Sequence, residues 1–148
     1  MYAYSRLAVM AVLSFIAIYI LMYAMVDTLF DAYPNVNQVY MAGLMTAPIV
    51  AIELLLMRRM YPDTSANVAL MTLCVVALAG CLYAIRAQVA VGDVQFLKSM
   101  IPHHSGAVLM CERARLKDEE IKRLCAAIIE GQRTEITQMN AVMKRLEQ

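Results

Sequence analysis

Charged side chains are scarce in this sequence, and tryptophan is absent altogether. Lys, Arg, Asp and Glu make up only 17% of the 148 residues, whereas 61% are hydrophobic. Soluble domains of this size are typically about a quarter charged and about half apolar. The shortage of charge therefore argues against a wholly soluble chain and predicts that part of it lies in lipid. A net charge of +1, without a basic stripe, also argues against a nucleic-acid partner.

The few charges are unevenly distributed along the chain. No lysine occurs before Lys98, and residues 1–90 hold eight charged side chains against seventeen in residues 91–148. Long apolar runs fill most of the first part instead. This contrast predicts a transmembrane domain at 1–90 and a His- and Met-containing helical domain at 91–148.

Three apolar runs in the first part are long enough to cross a bilayer. They span residues 7–25, 39–57 and 66–85, each close to the ~20 residues that cross ~30 Å of hydrocarbon. The first run is longer than a typical signal-peptide core, and two further runs follow it, so we do not interpret it as a removable signal. The sequence predicts three transmembrane helices.

The arginines set the expected orientation. Arg6 precedes the first run and Arg58 and Arg59 follow the second, whereas the loop 26–38 has two aspartates and no Lys or Arg. The positive-inside rule then places the N-terminus in the cytoplasm and the C-terminal domain outside. Arg86, after the third run, weakly opposes this orientation.

Glu53 lies about one turn from the expected cytoplasmic end of the second run. A carboxylate inside a membrane helix is costly unless it reaches the interface or a partner. We therefore expect Glu53 to extend towards that end and pair with Arg58 or Arg59.

The C-terminal part predicts two amphipathic helices. From about Val91, apolar residues recur at intervals of three and four, and Pro102 must either kink this helix or begin a new one. Asp118 is the expected N-cap of a second helix that ends near Leu146. Gly131 costs about 1 kcal/mol relative to alanine in that helix, which suggests that something packs closely against it.

Two helices of this length form a hairpin that buries little apolar surface by itself. The spans or a second copy of the chain must complete the packing. We expect an all-α protein: three transmembrane helices followed by an extracytoplasmic hairpin that completes a four-helix bundle as a homo-oligomer.

Both histidines of the chain are adjacent. Met100 precedes His103 by three residues and His104 by four, so the three share a helical face. Met110 follows His103 by seven residues. Imidazole and thioether are soft, neutral donors that suit Cu(I) and Ag(I) better than Mg²⁺ or Ca²⁺. The alternative is a pair of solvated histidines beside ordinary core methionines.

The second helix adds a carboxylate in its apolar seam. Glu135 could bind metal, accept the second N–H of a histidine, pair with Arg115 or Arg133, or lie open to water. Met139, one turn later, is either a soft ligand or core. The candidate metal ligands are Met100, His103, His104, Met110, Glu135 and Met139.

Two cysteines flank the predicted turn between these helices. In an oxidising compartment Cys111 and Cys125 could form a disulfide across the hairpin. They could instead bind metal, and the sequence leaves both alternatives open.

The stretches "DVQFLKSMIPHHSGAVLM" and "IIEGQRTEITQM" together resemble the bacterial family known as domain of unknown function 305. The resemblance covers roughly the last 58 residues, and the segments "MYAMVD" and "YPNVNQVYMAGLMTAP" resemble a membrane-anchored subgroup. It implies a ferritin-like helical fold and a periplasmic protein that binds copper or silver. The matching residues are Asp93, Phe96, Met100, Ile101, His103, His104, Ala107, Met110, Gln132, Glu135, Ile136 and Met139.

The leading functional prediction is a membrane-anchored protein, not an enzyme, that holds Cu(I) or hands it to a copper transporter or chaperone. A ferritin-like metal oxidase is the first alternative, but the chain lacks the Glu-x-x-His motif. A zinc hydrolase is weaker because no HExxH occurs. The third class is a structural or assembly subunit without metal chemistry.

Overall fold

The computed structural model describes residues 2–148, and those residues are helical throughout apart from short connections. Long, apolar helices occupy all three predicted spans, so that prediction is confirmed as far as length and composition go. Short 3₁₀ helices lie at Met22–Met25, Leu29–Asp31 and Arg58–Met60. The α-helices are α1 (Tyr2–Leu21), α2 (Val36–Leu56), α3 (Thr64–Ala87), α4 (Asp93–Arg113) and α5 (Glu119–Leu146).

The described chain forms two compact units. The membrane unit contains residues 2–22 and 37–89, which hold α1, most of α2, and α3. The hairpin unit contains residues 90–148 and, in addition, the loop 23–36 between α1 and α2. The sequence analysis divides the chain only at residue 90, whereas in the structure the loop 23–36 packs with α4 and α5.

The membrane unit packs around a small cluster of Leu7, Leu54 and Tyr61. A Cβ atom at Gly43 would lie 2.9 Å from the sulfur of Cys81, so glycine is what lets α2 and α3 approach closely here. Small residues at helix contacts are how membrane helices gain packing, because lipid supplies no hydrophobic force between them.

Glu53 has a different partner from the one expected. The Tyr61 hydroxyl donates a hydrogen bond to Glu53 Oε1 at 3.2 Å. Within residues 2–148, neither Arg58 nor Arg59 lies in ion-pair contact with a carboxylate. The predicted pairing with arginine was wrong because the chain turns back after α2 and brings a phenol to the carboxylate first.

Pro102 neither ends nor begins a helix, since α4 runs through it. Proline has no N–H, so the carbonyl of Lys98 one turn earlier loses its helical donor. The side chain of Asn35, only 5% exposed, donates to that carbonyl at 3.3 Å. The loop 23–36 thereby repairs the defect that the proline creates.

The hairpin follows the sequence prediction closely. Asp118 caps α5 by accepting hydrogen bonds from the N–H groups of Glu120 and Ile121. The core of the unit contains Leu97 and Ile101 of α4 and Met143 of α5.

Close packing at Gly131 is not observed. A Cβ atom there would meet nothing within 4 Å among the described residues. The glycine is therefore not required by any contact within this chain.

Candidate metal site

His104 is the most firmly positioned of the candidate ligands. Its Nδ1 lies 2.9 Å from the carbonyl oxygen of Met100, one turn earlier in α4. Its Nε2 lies 2.8 Å from Oε2 of Glu135 on α5. The side chain is 13% exposed, against 54% for Glu135. The ring is thus fixed in place by two helices.

These contacts determine where the protons of the His104 ring lie. A carbonyl oxygen only accepts, so Nδ1 must carry a proton and donate it to Met100. A neutral ring would then hold its lone pair on Nε2, directed at Glu135. A protonated ring would instead donate from Nε2 to the Glu135 carboxylate. At 2.8 Å the contact with the carboxylate is favourable when Nε2 carries a proton, so a metal ion could bind Nε2 only if Glu135 moved off this nitrogen.

Two methionines, Met100 and Met139, lie one turn from this pair along their helices. Because α4 and α5 are antiparallel, moving one turn from His104 to Met100 and one turn from Glu135 to Met139 leads to facing positions. Met139 is half-buried and packs against the core cluster of the hairpin, which includes Ile101. Four of the six predicted ligands thus lie within two adjacent turns of the α4–α5 hairpin.

The other two predicted ligands lie apart from this set. His103 and Met110 are both exposed, Met110 by 53%. The His103 ring centroid lies 5.9 Å from that of His104, at 65° between the ring planes. His103 and Met110 are two turns apart on one outward face of α4, which leaves them open to a partner or to an incoming ion.

The donor set limits which metals fit. In residues 2–148, no three His, Cys, Asp or Glu side chains converge as a metal cluster. A tetrahedral zinc site or a carboxylate-rich site therefore lacks donors within one chain. A soft monovalent ion is less demanding, because one imidazole and two thioethers are neutral, polarisable ligands of the kind it prefers.

The cysteines beside the turn form a disulfide. Cys111 and Cys125 are bonded, with their Cα atoms 5.2 Å apart. Of the two alternatives left open by the sequence, the structure has the cross-link, which joins α4 to α5 near their connection. In this state neither sulfur is a thiolate ligand.

Ser105 and Gly106, which follow the histidines directly, were not recognised from the sequence. The Ser105 hydroxyl is fully buried, accepts from the N–H of Asp27 at 2.8 Å and donates to Asp31 Oδ2 at 2.6 Å. A Cβ atom at Gly106 would lie 3.2 Å from the carbonyl oxygen of Met25. These two residues hold the loop 23–36 against α4. In the sequence, the signal for these contacts is a serine next to a glycine among the larger side chains of α4.

Residues 56–147 match the family described as Domain of unknown function (DUF305), so the match also takes in α3 and extends well beyond the last 58 residues. The chain is 32% identical over 142 residues to an uncharacterized protein of Acanthamoeba polyphaga mimivirus, covering 94% of this chain and 91% of that protein.

That relative covers both the membrane unit and the hairpin unit in sequence. No solved structure matches the chain significantly. Since the family match takes in more than half of the 148 residues, and includes both histidines and Glu135, the chain belongs to the DUF305 family.

Proposed function

We propose that this protein is a membrane-anchored binder of Cu(I), and of Ag(I) as its analogue, acting outside the cytoplasm in copper homeostasis or tolerance. The observation that carries the proposal is the fixed ring of His104. With Nδ1 committed to the Met100 carbonyl, the neutral ring offers a single lone pair, on Nε2. That nitrogen lies between two helices that each place a methionine one turn away.

In this proposal the ligands divide into an inner and an outer set. The inner set is His104 Nε2 with the thioethers of Met100 and Met139. The Met100 carbonyl holds the ring through its Nδ1–H, and Glu135 moves off Nε2 and compensates the charge of the cation. The outer set is His103 with Met110, exposed on α4 and accessible to a copper transporter or chaperone. Exchange between the two sets would let the protein hold the ion or hand it over.

Two features support a location outside the cytoplasm. The loop 23–36 and the α4–α5 hairpin belong to one unit, so they lie on the same side of any bilayer that α1–α3 cross. Disulfides such as Cys111–Cys125 persist in oxidising compartments. Together with the arginine distribution, these features favour a cytoplasmic N-terminus and a periplasmic hairpin in a bacterial inner membrane.

Assembly into a homo-oligomer remains part of the proposal. The hairpin exposes several large apolar side chains that two helices leave uncovered. A second hairpin packed on them would give a four-helix bundle of the ferritin-like kind. The exposed residues are Phe96, Ile121 and Leu124.

The decisive experiment is a Cu(I) titration of the purified full-length protein against a competing chelator under anaerobic conditions. We expect tight retention by the parent and loss of at least about tenfold in affinity for His104→Ala, since a metal ligand is removed. Met143→Leu is the matched control, because Met143 lies in the hairpin core outside the proposed ligand set. It should bind as the parent does.

Glu135→Gln tests the contribution of the Glu135 charge. The amide is close to the carboxylate in size but has no charge to balance that of the metal ion. We expect an intermediate loss of affinity. Equal affinity in the parent and His104→Ala would overturn the site, and oxygen consumption on adding Cu(I) would favour a metal oxidase instead.

A further inference from the structure

The connection between α2 and α3 contains a cavity unrelated to the histidine site. Its volume is about 520 Å³, and it lies where α2 ends at Leu56 and α3 begins at Thr64. It belongs entirely to the membrane unit. The residues lining it are Leu54, Leu55, Arg58, Tyr61, Pro62, Thr64, Asn67, Val68 and Met71.

Arg58 is the one charged residue among those that line the cavity. The two acidic residues nearest in sequence are both engaged elsewhere: Glu53 accepts from Tyr61, and Asp63 caps α3 by accepting from the N–H of Ala66. Neither carboxylate lines the cavity. In the described chain, the exposed Arg58 guanidinium therefore has no ion-pair partner at the edge of this open cavity.

Leucine, proline, valine and methionine side chains line much of the rest of the cavity, alongside Tyr61, Thr64 and Asn67. Leu55 on α2 is 48% exposed, and Val68 on α3 is 61% exposed. Both side chains therefore face outward from the helices that would be in lipid. A cation at the end of two spans, with apolar side chains below it, matches the two chemical parts of a phospholipid: an anionic headgroup and an acyl chain.

We propose that this cavity binds an anionic phospholipid, with its phosphate on Arg58 and an acyl chain along Leu55, Val68 and Met71. The phosphate forms charge-assisted hydrogen bonds to the guanidinium, whose fork matches its oxygens. The chain contacts side chains that would otherwise face bulk lipid. The inference stands apart from metal binding, since no candidate metal ligand lines the cavity.

The test is to count lipids that stay with the full-length protein. The protein is reconstituted into nanodiscs of phosphatidylcholine with a minority of phosphatidylglycerol, released into mild detergent and analysed by native mass spectrometry. We expect the parent to retain phosphatidylglycerol preferentially. Arg58→Gln should lower that retention about fivefold or more, and Arg58→Lys, which keeps the charge, should lower it less.

Arg59→Gln is the matched control for charge. Arg59 is the adjacent residue, is exposed and does not line the cavity, so its loss changes the surface potential equally without touching the site. A specific site predicts parental retention for this variant. An equal fall for Arg58→Gln and Arg59→Gln, or no fall for either, would overturn the proposal.

A second pair of variants tests the apolar wall without removing charge. Val68→Trp narrows the cavity at an exposed position, whereas Val75→Trp makes the same change two turns later on α3, away from the cavity. Retention should fall only for Val68→Trp. Inorganic phosphate or glycerophosphoglycerol, which lacks acyl chains, should fail to displace the lipid. Displacement by either at comparable concentration would identify a phosphate site and refute the lipid site.

Discussion

Large apolar side chains cover the outside of the membrane unit, whereas the hairpin unit encloses its most buried residues between two amphipathic helices and a loop. In the membrane unit, side-chain hydrogen bonds between helices occur near their ends, as between Tyr4 and Asn67 or from Tyr40 to the Val89 carbonyl. In the hairpin unit, polar contacts reach the buried interior, as at Ser105.

The difference between the two units follows from their surroundings, which are lipid for the membrane unit and water for the hairpin unit. Lipid accepts exposed apolar surface but penalises unpaired polar groups, so polar contacts are confined to the interface. Water rewards burial of apolar surface, but two helices and a loop bury little of it. The hairpin unit therefore depends on a disulfide and on specific polar contacts, and it should be the more sensitive of the two to single substitutions.

The largest expected effect is removal of the disulfide. Replacing Cys111 and Cys125 by serine opens a cross-link that spans 14 residues of sequence. The loss should be about 3 kcal/mol, because the unfolded hairpin gains chain entropy. Hydrogen exchange should accelerate in α4 and α5 and stay unchanged in α1–α3. Reduction of the parent with dithiothreitol should give the same result, and uniform acceleration in both units would contradict the comparison.

The next effect concerns the contact that holds the loop 23–36. Ser105→Ala leaves Asp31 and the Asp27 N–H without their shared partner and should cost about 1–3 kcal/mol. Ser99→Ala is the control, since the Ser99 hydroxyl donates to the Phe96 carbonyl within α4. Limited proteolysis should cut the loop faster in the first variant only. Equal protection would show that the loop is held by other contacts.

Asn35 and Pro102 should show strong coupling. Asn35→Ala removes the donor to the Lys98 carbonyl and should cost about 1–2 kcal/mol. In the Pro102→Ala background the helix supplies its own N–H, so the same change should cost clearly less. Denaturant unfolding of the four proteins gives the coupling energy. An additive result would mean that Asn35 does not serve the proline defect.

Two glycines of the hairpin unit should respond with opposite signs. Gly131→Ala should stabilise α5 by up to about 1 kcal/mol, because the added methyl meets no described atom within 4 Å. Gly106→Ala should destabilise, since its Cβ would lie 3.2 Å from the Met25 carbonyl oxygen. Thermal unfolding in detergent measures both. Destabilisation by Gly131→Ala would point to a second chain packed there.

The smallest effect belongs to the membrane unit. Burial, and then the hydrogen bond to Glu53 and its charge, raise the pKa of Tyr61 above 10.0. The folded chain holds this proton more tightly than the unfolded chain, so the stabilisation is present below about pH 10 and is lost as the pH rises through the raised pKa. Tyr61→Phe should cost about 1 kcal/mol and remove one late-titrating phenol from an ultraviolet titration. Normal titration of Tyr61 would contradict its burial.

Much of the candidate site was predictable because it is local. His104 and Met100 share a helical face by spacing alone, and Glu135 in an apolar seam required a partner. The partner of Glu135 was not predictable from the sequence. His104 and Arg133 were both suitable, and in the structure Glu135 contacts His104 whereas Arg133 contacts Glu112. That choice depends on the register of α5 against α4, which no spacing within one helix specifies.

The sequence by itself determined the three long apolar helices, the Asp118 cap and the helical face that Met100 shares with His104. Each follows from hydropathy, propensity or helical period over a few neighbouring residues. Only the tertiary structure decided that the loop 23–36 repairs the helix at Pro102 and docks on Ser105. It also decided that Glu53 contacts Tyr61 and leaves Arg58 at a cavity. These contacts join residues far apart in sequence, and steric fit and hydrogen-bond geometry select them from many partners of equal chemical suitability.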